Sequence, residues 1–377
     1  MAYLDNSATT AVCRAAAERA LRVMTEVYGN PSSLHTMGVR AEQELNRARE
    51  EVATLIGAKS DRIIFTSGGT EANNLAILGG AAACRRSTPV AVTTAVEHPS
   101  VAACFDELEK QGWTVTRLQP DRDGMISPEQ LAEVCTEDTS LVSIMTVNNE
   151  VGARFDIPTM VSVVRARSPK ALFHTDAVQA AGKLGIKAER WGVDLLSVSG
   201  HKIHAPKGVG ALYVRRGVRV LPRVFGGGQE NGIRSGTEAL PAIAAFGAAA
   251  ASVPSFEKQA EHFERLRTVL QHALADLPDV KWHIPPNGVP YIVHLSVVGI
   301  RSETLLHFLA QREIYVSSGS ACSKGKHSAV LAAMGLPMAE IDSSLRISFC
   351  FENTEDEVLA LAEALRDATV TLQRRRT

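Results

Sequence analysis

"VDLLSVSGHKIHAPKGVGALYVRR" (residues 193–216) sets two apolar runs on either side of a loop rich in glycine, lysine and histidine. The first run is continuous rather than alternating, the pattern of a strand buried on both faces of a parallel sheet. Lys202 follows it at once, beside His201 and just after Ser199. An amine at the end of a buried strand is costly to keep charged, and the same burial turns it into a nucleophile for a carbonyl group. A solvated loop lysine is the competing reading, and this stretch alone leaves both open.

Upstream, β-rich runs alternate with helical patterns: "RIIFTSGGTE" (62–71), "PVAVTTAVEH" (89–98), "WTVTRLQ" (113–119), "SLVSIMTVNNE" (140–150) and "ALFHTDAVQ" (171–179). Such alternation predicts an α/β domain on a largely parallel sheet. Helical spacing over 14–28 and 37–56 precedes it, each pattern closed by a glycine. Beyond it come an alanine-rich helix (239–252), a break at Pro254 and a long amphipathic helix (256–275). The strand "YIVHLSVV" (291–298), a helix from Glu303, the strand "LRISFC" (345–350) and a helix capped at Thr354 by "TEDE" complete a smaller α+β unit. The expected division is a large domain over 14–254 and a small one made of 1–13 and 255–377.

A chain of 377 residues is longer than one core usually supports, which agrees with two domains. A formal net charge of −1 argues against a dedicated nucleic-acid or membrane-surface binder. The six cysteines, at 13, 84, 104, 135, 322 and 350, show neither zinc-site spacing nor a disulfide framework. With no secretory pattern at the start and no apolar run of spanning length, a cytoplasmic setting is expected.

Ligands of open parallel sheets bind beyond the carboxyl ends of the strands, so the polar residues closing each run are the candidates. "FTSGGTEANN" (65–74) passes through a glycine turn into a helix and offers backbone N–H groups and the Thr70 hydroxyl to an anion. It is neither a Walker A loop nor GxGxxG, and a plain strand-to-helix turn reads as well. Asp176 closes its run 26 residues before Lys202, about one βαβ unit, so both project from one sheet edge. A Schiff-base lysine with an acid that keeps a ring nitrogen protonated is what a pyridoxal cofactor requires, although an aspartate here also suits a helix cap. His98, in "AVEHPS", suits ring stacking and proton transfer, or is an ordinary hydrogen-bonded histidine. Asn149, in "VNNEVG", reads either as a polar contact to cofactor or substrate or as turn chemistry. Arg346, in "SSLRISFC", suits a bidentate clamp on a carboxylate, with an ion pair as the alternative. Cys322, in "SSGSACSKGKHS" (317–328), sits among small and basic residues, the setting of an accessible thiol that Lys324, Lys326 and His327 bias toward thiolate.

Together "YLDNSATT", "GNPSSLH", "FTSGGTEANN", "EHPSV", "MTVNNEVG", "HTDAVQAAGK", "SGHKIHAPKGVGALYVR", "GGGQENGIRSGT" and "SSGSACS" resemble, in order and spacing, the cysteine desulfurases of the NifS/IscS type, within the class-V aminotransferases. The resemblance covers nearly the whole chain. It implies fold type I of pyridoxal 5′-phosphate (PLP) enzymes: a three-layer α/β/α large domain on a mixed, mostly parallel sheet plus a smaller α+β domain. It implies that Lys202 binds PLP as a Schiff base, that Asp176 pairs with the ring nitrogen, that His98 stacks on the ring and that Gln179 reaches its phenolic oxygen. Gly69, Thr70, Ser199 and His201 would hold the phosphate, joined by Thr237 of a second subunit in an obligatory homodimer. Asn149 and Arg346 would hold the carboxylate of L-cysteine. Cys322 would take the substrate sulfur as a persulfide, leave alanine, and pass the sulfur to an iron–sulfur scaffold or a tRNA-thiolation enzyme.

The sequence departs from the long-loop branch in one place. Eight residues lie between Cys322 and Leu331, fewer than housekeeping members have, and "KGKHS" is basic, which bears on the acceptor rather than on the chemistry. The competing functions are a selenocysteine lyase or transaminase of the same class, and a catalytically idle dimer serving as an assembly scaffold.

Overall fold

The computed structural model describes residues 1–84, 89–318 and 327–372. Cys322, Lys324 and Lys326 lie outside the described residues. The chain opens on a two-residue strand, β1 (Ala2–Tyr3), and two helices, Arg14–Thr25 and Thr36–Leu55. The main sheet follows: β2 (Ile63–Thr66), β3 (Val90–Thr94), β4 (Thr114–Leu118), β5 (Thr139–Ser143), β6 (Leu172–Asp176), β7 (Leu195–Ser199) and β8 (Gly210–Val214). Their order is β2-β8-β7-β6-β5-β3-β4. All pairs are parallel except those of β8, which runs against both β2 and β7. Every residue of β5, β7 and β8 is buried, as the continuous apolar runs predict.

The reversal of β8 brings three segments together at one edge, because Gly210 pairs with Thr66 on one side and Ser199 on the other. A β-carbon at Gly210 would lie 2.7 Å from the Gly68 α-carbon and 2.7 Å from the Val198 carbonyl, so glycine is what lets the strand approach this closely. The helix Leu240–Ala251 packs on both N-terminal helices. Its alanines allow this: a β-carbon at Gly247 would stand 2.7 Å from the Ala48 α-carbon.

The smaller sheet contains β9 (Val280–Trp282), β10 (Ile292–Val297) and β12 (Ser344–Ser348), antiparallel in the order β12-β10-β9, while β11 (Ile314–Tyr315) pairs in parallel with β1. The helices Phe256–Ala273 and Ser302–Ala310 pack on Glu355–Thr371, whose cap is the expected reciprocal pair of Thr354 and Glu357. One apolar core runs through both sheets, joining Phe173, Leu196 and Val198 to Val293, Leu345 and Ile347.

Two local features differ from the sequence expectation. "SLVSIMTVNNE" is a strand only as far as Ser143, because the Asn148 side chain folds the rest into a turn. Its Oδ1 accepts from the backbone N–H of Glu150 (2.8 Å) and Val151 (2.9 Å), and its Nδ2 donates to the Val96 carbonyl (3.0 Å). Two further helices, Pro128–Val134 and Ile157–Arg167, start at Ser127 and Asp156, whose side chains cap them.

Candidate active site

The carboxyl ends of β2, β3, β5, β6 and β7 open into a cavity of about 260 Å³ whose wall includes Gly69, Thr70, His98, Asn149, Asp176, Gln179, Ser199, His201, Lys202 and Arg346. The structure therefore brings together ten of the twelve residues singled out in the sequence. Thr237 is exposed on its own chain and does not line this cavity.

Asp176 and Lys202 arrive from neighbouring parallel strands, with Asp176 in register with Ser197. After β7 a single 3-10 turn, Gly200–Lys202, throws the lysine side chain across the sheet edge. Its ammonium donates to the carbonyls of Ser7 and, at 2.7 Å, Ala8. Burial lowers its pKa to about 7, helped by the positive charges of Arg346 and Lys183 and opposed by Asp5 and Asp176. Near neutrality a large share of Lys202 is thus a free amine, the form that attacks carbonyl carbon.

Asp176 is 5% exposed and firmly held. One oxygen accepts from the Val178 backbone (2.9 Å) and the other from Asn73 Nδ2 (2.7 Å), which also donates to the Ser100 hydroxyl (2.9 Å). His98 caps the helix Pro99–Lys110, its Nδ1 accepting from the Ser100 N–H and meeting the Ser100 hydroxyl at 2.7 Å. Burial, with Lys202 beside it and Asp176 opposing, lowers the His98 pKa. His201 is pushed down to about 4, by burial first and then by Lys202, Lys207, Lys183 and His98. Both imidazoles are therefore neutral at pH 7.

At the opposite wall the Arg346 guanidinium is 2% exposed, donating to Asp5 Oδ1 (2.8 Å) and the Asn149 carbonyl (2.9 Å), while its Nε has no partner among the described residues. Gln179 donates to the Ser7 carbonyl (3.0 Å) and leaves its buried Oε1 without a partner among the described residues. The Gly68–Gly69 turn follows β2 into a helix, and a β-carbon at Gly69 would stand 2.9 Å from a Val178 methyl, so this backbone sits close on the cavity. A neutral amine, a fixed carboxylate, neutral imidazoles, a glycine turn with helical N–H groups and a buried guanidinium form a site for a carbonyl compound carrying an anionic group, with a second carboxylate nearby.

Sequence reasoning missed Asn73, Ser100 and the Ser7–Ala8 carbonyls. Asn73 lies three residues beyond Thr70 in a quoted motif, on the same helix face, a spacing that could have found it. Ser7 and Ala8 act through main-chain oxygen, which no side-chain pattern reveals. Among the described residues no group of three His, Cys, Asp or Glu is placed to hold a metal ion.

Comparison with known proteins agrees with this architecture. Residues 2–361 match the family described as aminotransferase class-V. A "NifS/IcsS protein homolog" of Lactobacillus delbrueckii subsp. bulgaricus is 44% identical over 364 residues, covering 95% of this chain and 94% of that one. A "cysteine desulfurase" of Nostoc sp. is 42% identical over 372 residues, covering 96% and 91%. A solved "NifS-like protein" overlays with a TM-score of 0.93 at 36% identity, covering 99% of this chain and all of that one. The mixed, mostly parallel sheet with its appended smaller sheet is the type I fold of PLP-dependent transferases. On this sequence, fold and spread of matches, the chain belongs to the class-V aminotransferase family, among its NifS/IscS-type cysteine desulfurases.

Proposed function

We propose that the chain is a PLP-dependent cysteine desulfurase that converts L-cysteine to L-alanine and retains the sulfur on Cys322 as a persulfide. The observation that carries the reading is Lys202, an amine near neutrality in one cavity with the fixed carboxylate of Asp176 and the buried guanidinium of Arg346. The residues fit PLP: Lys202 suits its aldehyde, Asp176 its ring nitrogen, His98 its ring face and the Gln179 Nε2, which here donates to the Ser7 carbonyl, its phenolic oxygen. Gly69, Thr70, Ser199 and His201 suit its phosphate. Bound there, PLP supplies an electron-withdrawing ring that stabilises negative charge at the substrate Cα.

The protein's own groups do the rest. Arg346 and Asn149 hold the substrate carboxylate. Lys202, uncharged, takes the Cα proton. The Cys322 thiolate attacks the substrate sulfur, an S–S bond forms, the C–S bond breaks toward carbon, and protonation of that carbon gives alanine.

The exposed Thr237 supports a homodimer in which it completes the partner's phosphate site. Exposed apolar side chains crowded into residues 21–39, with Leu34 99% exposed, and Phe225 at 81% support the same assembly. The persulfide chemistry supports a protein sulfur acceptor, an iron–sulfur scaffold or a tRNA-thiolation enzyme. The free cysteines Cys13, Cys84, Cys104, Cys135 and Cys350 support a reducing, cytoplasmic setting. The pairing of β1 with β11 supports the division into 14–254 and 1–13 with 255–377.

The test is alanine release from L-cysteine by the PLP-loaded protein with a thiol acceptor, run beside Cys322→Ser. The reading expects alanine from the parent protein, and from the variant an intact cofactor band without persulfide. Alanine and persulfide formed equally by Cys322→Ser would overturn the role of Cys322. Turnover of selenocysteine alone, or transamination alone, would replace the function.

A further inference from the structure

We propose that Lys183 is a positioning residue for the Lys202 amine: held without a carboxylate partner in a cavity that both lysines line, its ammonium opposes a second positive charge and keeps Lys202 the neutral nucleophile. The proposal rests on Lys202 being the reacting amine.

A small cavity of about 50 Å³ shares Lys202 with the active site and is lined as well by Lys183, His204, Phe263, Cys350 and Glu352. Lys183 reaches it because the preceding turn is pressed against the lysine loop. Gly182 has φ +74°, and a β-carbon there would lie 2.8 Å from a methyl of Ile203, the residue after Lys202. Lys183 is only 7% exposed, and its Nζ has no hydrogen-bond partner among the described residues. Its ammonium lies over the Tyr291 ring, with Nζ 5.3 Å from the centroid, and that ring is fixed by the Tyr291 hydroxyl donating to the Gln179 carbonyl at 2.9 Å.

An unpaired buried ammonium contributes nothing to stability, so its placement calls for another explanation. Burial lowers the Lys183 pKa to about 8, with Cys350 opposing, so it still carries its charge at pH 7. The charges facing Lys202 are Arg346 and Lys183 against Asp5 and Asp176, with His98 and His201 close by. Both acids are already engaged, Asp5 by Arg346 and Asp176 by Asn73 and the Val178 N–H. Facing Lys183 itself are Arg346, Cys350 and, on the cavity wall, His204 and Glu352. The Cys350 thiol is pushed up by burial and so supplies no anion to cancel the charge. Crowding two ammonium groups in a poorly solvated space is a general way to free one of them as an amine.

The test is the pH dependence of PLP capture by the apoprotein, with reductive methylation of Lys202 followed by mass spectrometry as a second readout. The parent midpoint is expected near the Lys202 value of about 7. In Lys183→Met and Lys183→Gln, which are neutral and of similar length, the midpoint should rise by about 1 in pH, while Lys183→Arg should restore it. Thermal stability of Lys183→Met should not fall, because an unpaired buried charge has been replaced by an apolar chain. A midpoint unmoved in the folded neutral variants, or a lower melting temperature with the midpoint unchanged, would reduce Lys183 to a packing residue. Capture by Lys202→Ala as fast as by the parent would instead remove Lys202, a separable failure.

Discussion

Between the helices Arg14–Thr25 and Thr36–Leu55, Arg19 and Glu44 are 9% and 7% exposed, yet almost every charge there is answered: Arg19 binds Glu44 and Glu51, and Arg22 binds the second oxygen of Glu44 at 2.6 Å. At the edge of the main sheet the balance is the reverse. Lys202, Lys183 and Arg346 face one another, Asp5 and Asp176 are the acids opposing them, and the Lys183 ammonium has no hydrogen-bond partner among the described residues. Paired buried charge holds two helices in register without changing the state of either partner. Unpaired buried charge changes the protonation state of its neighbours instead, and it is found where a proton has to move.

If that contrast is right, the two clusters respond oppositely to neutralisation. Lys202→Ala should lower turnover of L-cysteine by about 10³-fold or more without lowering the melting temperature of the apoprotein, read by steady-state kinetics and calorimetry. Glu44→Ala, which leaves Arg19 with Glu51 alone and returns the part-exposed Arg22 to solvent, should cost about 1–3 kcal/mol in urea unfolding while leaving kcat per folded molecule unchanged. Arg346→Lys should raise KM for L-cysteine by about 10- to 100-fold, with a smaller effect on kcat, because a bidentate charge-assisted contact is lost.

The smallest effect belongs to Glu97, a buried carboxyl next to His98 that accepts from the Met145 N–H (2.8 Å) and the Thr94 hydroxyl (3.3 Å) and whose pKa burial raises to about 8. The folded state binds its proton more tightly than the unfolded chain, so its contribution is fully present below the ordinary value of 4.5 and is lost as pH rises through about 8. Glu97→Gln should therefore remove part of the fall in melting temperature between pH 5 and pH 8.5. An unchanged pH slope in that variant would show that the carboxyl is ionised throughout.

Most of the sheet was legible because its strands are buried on both faces, so "VDLLSVS" and "SLVSI" place apolar residues at adjacent positions rather than in strict alternation, and the chemistry sits where each run stops. Asp176, His98 and Lys202 were readable for that reason. β1, β9 and β11 are two or three residues long, too short for any periodicity, and form only because a neighbouring strand is already in place. The helices at 128–134 and 157–167 carried cap signals in "SPEQ" and "DIPT", but their apolar spacing is weaker than their caps. The Lys183–Lys202 relation was not legible, since 19 residues separate the two and only the Gly182 turn brings them together.

The central claim is that Lys202 is the amine that takes the cofactor, and covalent trapping tests it most directly. The protein is loaded with PLP, reduced with borohydride, digested and mapped by mass spectrometry. The account predicts the phosphopyridoxyl mass on the peptide containing Lys202 and on no other lysine. A label on Lys183, or a reduced protein with no label at all, would contradict it.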